Sequence, residues 1–150
     1  MIRGICTVAI IYKLNSKEDE SIFMDNGLST YNAQKCAYFG MGKTRRKKYL
    51  GFYVYDRGKK IGGVYGYIDP ENWVYIALLY ISDDYREKGI GSKLIALVEK
   101  LGRRSKCTGI RTETWDFQAI GFYEKRGFVV YGILEDHPIG ATDYLLKKKF

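Results

Sequence analysis

One run of nine residues, Trp73-Val74-Tyr75-Ile76-Ala77-Leu78-Leu79-Tyr80-Ile81, is apolar or aromatic at every position and stops abruptly at Ser82-Asp83-Asp84. It has no apolar/polar alternation, which is the pattern of a strand covered on both faces. Beyond it, Ile90, Leu94, Leu97, Val98 and Leu101 recur at i, i+4, i+7, i+8 and i+11. That spacing puts them on one face of a helix, predicted to end near Gly102. A buried strand passing through a glycine-containing loop into an amphipathic helix must sit centrally in a sheet, with the helix packed on it.

The flanking sequence is consistent with this. Residues 5–12 are rich in β-branched and apolar side chains and predict a strand, and Ser16-Lys17-Glu18-Asp19 has the chemistry of a helix N-cap, with a helix following through about Tyr31. Residues 50–55 and 60–68 predict two antiparallel strands joined at Asp56-Arg57-Gly58-Lys59, and Asp69-Pro70-Glu71-Asn72 makes the next turn. Residues 109–114 predict a strand, 117–126 a helix stopped by Gly127, and 128–134 and 141–149 two closing strands. The order β α β β β α β α β β implies a mixed α/β fold, and 150 residues with 46% hydrophobic content suffice for a single domain over residues 1–150.

Composition narrows the function. No apolar run approaches the ~20 residues of a membrane span and the N-terminus lacks a signal-peptide pattern, so the expectation is a cytoplasmic protein without a membrane partner. Cys6, Cys36 and Cys107 lack disulfide or zinc spacing and are expected as reduced, mostly buried thiols. A single histidine, His137, cannot build a His-rich metal site, so no metal is expected. The formal charge of +8 suits an anionic ligand, a nucleic acid or an acidic surface, and the run Lys43-Thr44-Arg45-Arg46-Lys47-Lys48 is expected as a solvated loop or helix end.

Where the buried strand meets the helix, unpaired backbone N–H groups and the helix dipole make an anion site. Gly89 and Gly91 would admit a pyrophosphate close to the backbone, with Arg86, Lys88 and Lys93 adding charge. The run Arg86-Glu87-Lys88-Gly89-Ile90-Gly91 resembles the R/Q-x-x-G-x-G/A signature of the GNAT acyltransferase superfamily, whose loop binds the pyrophosphate of acetyl-CoA. The resemblance implies cofactor contacts from Arg86, Glu87, Lys88, Gly89, Ile90, Gly91 and Ser92. It also implies contacts from Leu79, Tyr80 and Ile81, the strand whose main chain in the family binds the pantetheine arm and orients the thioester carbonyl.

A second segment, Asp116-Phe117-Gln118-Ala119-Ile120-Gly121-Phe122-Tyr123-Glu124-Lys125-Arg126-Gly127-Phe128, resembles the family's N-x-x-A-x-x-F-Y-x-K-x-G-F. It implies that Asp116, Phe117 and Tyr123 lie by the cofactor, although Asp116 stands where the family often has asparagine. Residues 132–140 look like the corresponding loop of one GNAT subgroup, while the first ~50 residues match only in their order of elements. The resemblance implies a GNAT-like fold that transfers acetyl from acetyl-CoA to a primary amine, either a small molecule or a protein lysine, with Tyr123 as general acid. A homodimer is common in such families.

Tyr123 has a reference pKa of ~10 against ~8.5 for a thiol, so full proton transfer to the leaving sulfur is uphill by roughly 2 kcal/mol and hydrogen-bond donation is the better description. For the general base, Glu113, Glu135, Asp136, water and a backbone carbonyl all remain open. Rival readings are a non-catalytic acyl-CoA sensor and a basic nucleic-acid-binding module using some of the fourteen tyrosines for stacking; against the latter, the tyrosines are spread through apparent core strands. Gly89-Ile90-Gly91-Ser92-Lys93-Leu94 imitates a dinucleotide fingerprint but has leucine at the third glycine position, and residues 37–44 imitate a phosphate loop lacking its first glycine.

Overall fold

The computed structural model describes residues 21–40 and 46–150, and the chain falls into two compact units, residues 1–44 and 45–150. The strand expected at 5–12, the cap at 16–19, Cys6, and parts of the basic run and of the phosphate-loop imitation lie outside the described residues. In the first unit, helix α1 (Ser21–Lys35) places Lys35 in its last turn, where a cation suits the helix dipole. A short α2 (Ala37–Gly40) follows.

The second unit is a six-stranded sheet in the order β1-β2-β3-β4-β6-β5. Its strands are β1 (Lys48–Asp56), β2 (Lys59–Ile68), β3 (Trp73–Ile81), β4 (Gly109–Trp115), β5 (Val129–Leu134) and β6 (Asp143–Lys149). Only β3 and β4 pair in parallel, so the sheet is mixed. The β1–β2 turn uses Arg57 and Gly58, both at positive φ, which is the backbone twist a two-residue hairpin requires. At the next turn the Asp69 carboxylate accepts the Trp73 N–H at 2.8 Å and pairs with Arg111 at 3.2 Å, tying the start of β3 to β4.

Helix α3 (Ile90–Arg104) lies on one face of this sheet. Its Leu94, Ile95 and Val98 pack into a cluster with Val64, Val74, Ile76, Ile110 and Leu146. The buried stripe is rotated from the one expected: Ile95 joins it and Leu97 is 43% exposed. The helix also runs past Gly102, because that glycine sits inside the last turn, where a Cβ would lie 2.6 Å from the Phe150 ring. Helix α4 (Ile120–Glu124) is shorter than the expected 117–126, since residues 115–118 are closed by a Gln118 N–H to Trp115 carbonyl bond. Of the two described cysteines, Cys36 is exposed, against the expectation of burial, and Cys107 is buried, with desolvation first of all pushing its thiol up as suits an inert core residue.

Two expectations need correction. The tyrosines of β1 to β3 do not fill the core: Tyr49, Tyr53, Tyr55, Tyr65 and Tyr80 alternate onto the exposed face, and the buried core contains Tyr123 alone among described tyrosines. Nor is β3 covered along its whole length. Val74 and Ile76 are buried, but Leu78 and Tyr80 are 65% and 59% exposed. The cause is a bulge, where Gly66 pairs with Ile76 and Tyr65 with Leu78, leaving Ala77 without a partner on β2.

Gly66 is what lets this bulge close, since a Cβ there would run into the Tyr75 carbonyl oxygen of β3. Gly66→Ala is expected to destabilise the chain by about 1–3 kcal/mol, read as a lower urea midpoint. An unchanged midpoint would show that the bulge relaxes freely.

Candidate active site

The β3–β4 ladder has four rungs, ending at Ile76↔Thr112. Past that point the strands part, and residues 77–81 present to β4 an edge with no ladder partner. The fork opens a cleft of about 1200 Å³. Leu79, Tyr80, Ile81, Arg86, Glu87, Gly89, Ile90, Gly91, Ser92, Phe117 and Tyr123 all line it. Lys88 and Asp116 are outside the lining. The Asp116 carboxylate instead accepts the N–H groups of Phe117 at 2.8 Å and Thr142 at 3.3 Å, bracing the end of β4.

At one end of the cleft, the loop is held by its own side chains. The Arg86 Nε donates to the Ile81 carbonyl at 3.0 Å while its guanidinium pairs with Asp83 at 2.8 Å, and the Lys88 ammonium donates to the Asp84 carbonyl at 2.7 Å. These cations therefore brace the loop. Gly89, at φ 77, turns the chain into α3 through a left-handed conformation. The N–H groups of Ile90, Gly91 and Ser92 have no backbone acceptor among the described residues, so the positive end of the α3 dipole opens on the cleft. Gly91 serves packing rather than phosphate approach, since a Cβ there would press on the Phe122 ring at 3.1 Å.

The cation that sequence reasoning missed is Arg126, at an unspecified position of the second motif. Its guanidinium lies 3.6 Å over the Phe122 ring and donates to the Phe122 carbonyl and the Ser92 hydroxyl. Its Nε is buried without a hydrogen-bond partner among the described residues. A guanidinium beside helix-start N–H groups that lack backbone acceptors makes this end of the cleft electropositive, a setting that suits an anion such as a diphosphate.

At the vertex of the fork, the Thr112 hydroxyl donates to the Ile76 carbonyl at 3.0 Å. Tyr123 reaches this vertex from α4, packed edge-on against Phe122 and Phe128. Burial drives its phenol above the ordinary tyrosine value, and a hydrogen bond with Thr112 offsets part of that rise.

The opposite face of the fork is different in character. Tyr75 and Arg111 are paired across β3 and β4, and strand alternation puts Glu113 and Trp115 on their side, away from Tyr123. Tyr75 is pushed up first by burial and then by the negative charge of the neighbouring Glu113 carboxylate. Of the three carboxylates considered as bases, Glu113 lines the cleft and Glu135 and Asp136 do not. His137, considered in the sequence only as a metal ligand and within the 132–140 loop, and Asp143, which no local pattern had singled out, both line the cleft, with Nδ1 and Oδ2 3.4 Å apart.

This architecture has relatives. The model of the GNAT acetyltransferase family matches residues 10–128. The chain is 39% identical over 95 residues, 63% of its length and 69% of the relative's, to a blasticidin-S acetyltransferase of Streptomyces morookaense. Among solved structures, an acetyltransferase from Bacillus cereus superposes with a TM-score of 0.74 at 26% identity, covering 93% of this chain and 98% of that one. A Bacillus anthracis protein assigned as a streptothricin acetyltransferase, solved in complex with acetyl coenzyme A, has the same fold at a TM-score of 0.63 and 23% identity, covering 71% and 65% of the two chains. A strand that forks from its parallel neighbour, a glycine-turned helix start at the fork and a tyrosine at its vertex thus come together in a chain that belongs to the GNAT acetyltransferase family.

Proposed function

We propose that the chain, read as one functional domain over residues 1–150, transfers an acetyl group from acetyl-CoA to a primary amine of a small molecule. The observation that carries this reading is the fork. One cleft combines free helix-start N–H groups and Arg126 at one end with Tyr123 at the vertex. The 39% identity to a blasticidin-S acetyltransferase supports a small-molecule acceptor over a protein lysine.

In this reading, the N–H groups of residues 90–92, the Ser92 hydroxyl and Arg126 hold the diphosphate, and the unpaired edge of residues 77–81 aligns the pantetheine arm as a further strand would align. When bound, acetyl-CoA supplies an activated acyl carbon and a thiolate leaving group. A main-chain N–H of Leu79, Tyr80 or Ile81 stabilises the negative charge that develops on the carbonyl oxygen. Tyr123 donates a hydrogen bond to the departing sulfur. Because burial raises its phenol further above a thiol, full proton transfer is more than roughly 2 kcal/mol uphill, and donation without transfer is the favoured role.

Calorimetry with acetyl-CoA, followed by thiol release across a panel of small amines and lysine peptides, tests the reading. Binding with amine-dependent release is the expected result, and absence of binding would overturn it. Tyr123→Phe is expected to lower kcat about 10²-fold with acetyl-CoA affinity unchanged. Its phenol titrates above the ordinary ~10, so it stays protonated through neutral pH and any loss of activity below about pH 9 must come from another group. Gly89→Val, which forces a side chain into the left-handed region, is expected to cost about 1–2 kcal/mol of stability and to weaken acetyl-CoA binding at least ~10-fold. Intact affinity in calorimetry would remove residues 89–92 from the site.

A further inference from the structure

Residues 135–142 carry the chain's single histidine to the rim of the fork. Its main chain is pinned on both sides: the His137 N–H donates to the Ala141 carbonyl at 3.0 Å, and the His137 carbonyl accepts the Trp115 indole N–H at 2.8 Å. Behind the ring stands Asp143, paired in register with Trp115 across β4 and β6 and therefore on the face opposite Tyr123. The Asp143 side chain is 8% exposed while the imidazole is 60% exposed. With the Asp143 carboxylate oxygen 3.4 Å from Nδ1, the tautomer that keeps its proton on Nδ1 is the electrostatically favoured one, and in that tautomer Nε2 is the proton acceptor.

We propose that His137, oriented by Asp143, accepts the proton that an ammonium acceptor must lose before it attacks. The assignment rests on the N-acetyltransferase reading given above. Of the neighbouring carboxylates, Asp136 accepts the Gly140 N–H, Asp116 accepts the N–H groups of Phe117 and Thr142, Glu113 lies beside Tyr75, and Glu135 is outside the cleft lining. Two cations on this face are also held, Arg111 by Asp69 and over the Tyr75 ring, and Lys147 over the Tyr131 ring. An imidazole exchanges its proton between about pH 5 and 8, where a carboxylate is already a poor base.

The step balances as follows. The acceptor arrives as R–NH3+ and gives one proton to Nε2. The freed amine lone pair forms the C–N bond to the acyl carbon, and the C–S bonding pair leaves with sulfur. The nitrogen sheds a second proton as the amide forms, and the thiolate takes up one proton. The imidazolium returns its proton to solvent, so one net proton is released per turnover.

The lone histidine gives a clean test, since one imidazole can be titrated by NMR in the whole protein. Thiol release with a small amine is measured against pH for the wild type, H137Q and E113Q, with acetyl-CoA affinity measured for each. The expected result is an acidic limb of wild-type kcat/KM whose midpoint matches the NMR titration, a loss of ~10²-fold or more in H137Q with the limb removed, and unchanged acetyl-CoA affinity. E113Q should keep the limb at the same midpoint. Near-wild-type turnover of H137Q, or a limb that survives in H137Q and disappears in E113Q, would overturn this assignment alone. A wild type that binds no acetyl-CoA or releases no thiol would overturn the acetyltransferase reading, and this assignment with it.

Discussion

The geometry of the site depends on one interrupted ladder. β3 and β4 are held together for four rungs and then released, and the release is enforced from both sides. On the β2 side, the unpaired Ala77 twists β3, as a bulge does. On the β4 side, antiparallel pairing with β6 continues to Trp115↔Asp143, which keeps β4 from following β3. The Thr112 hydroxyl on the Ile76 carbonyl marks where the strands part. Without this divergence residues 77–81 would be paired on both edges, and their free backbone groups would be spent on β4.

The fork also separates two chemistries by the two-residue period of a strand. Thr112 and Thr114 face α3 and α4, and Tyr123 meets them there, while Glu113 and Trp115 face the other way. A group threaded through the gap therefore has a hydrogen-bond donor on one side and acidic, aromatic surroundings on the other. The charge of +8 is not simply spread around this opening. Arg86 and Lys88 are tied into their own loop, and the cation that closes on α3 is Arg126 from α4.

Local pattern made much of the second unit legible. The continuous apolar run gave β3 with its observed ends, Asp56-Arg57-Gly58-Lys59 gave the hairpin, and Gly127 at φ 79 ended the α4 segment as expected. What was not legible depends on partners distant in sequence. Whether β3 keeps a partner on its β4 edge past Ile76 is decided by where β4 stops pairing, some thirty-six residues further along, and which of its side chains are covered is decided by the bulge opposite Gly66. Gly91 and Gly102 look like loop and terminator glycines in sequence, yet their neighbours are Phe122 and Phe150. Arg126 carried no local signal because it is defined by Ser92, and His137, although inside the 132–140 resemblance, gained a place at the cleft only through the β4–β6 register.

The same dependence explains why the glycine motif alone was a weaker guide than the fork. A helix start offers N–H groups to an anion in any fold, and Gly89 at positive φ satisfies only the backbone turn. In the proposed reading, what distinguishes the anion end is the Arg126 guanidinium, brought beside the helix-start N–H groups by its hydrogen bond to the Ser92 hydroxyl. That placement ties the proposed anion end to the docking of α4 on α3, through the Phe122 ring that Gly91 admits and Arg126 covers. Because Tyr123 follows Phe122 on the same short helix, one packing contact sets both the anion end of the cleft and the group at its vertex.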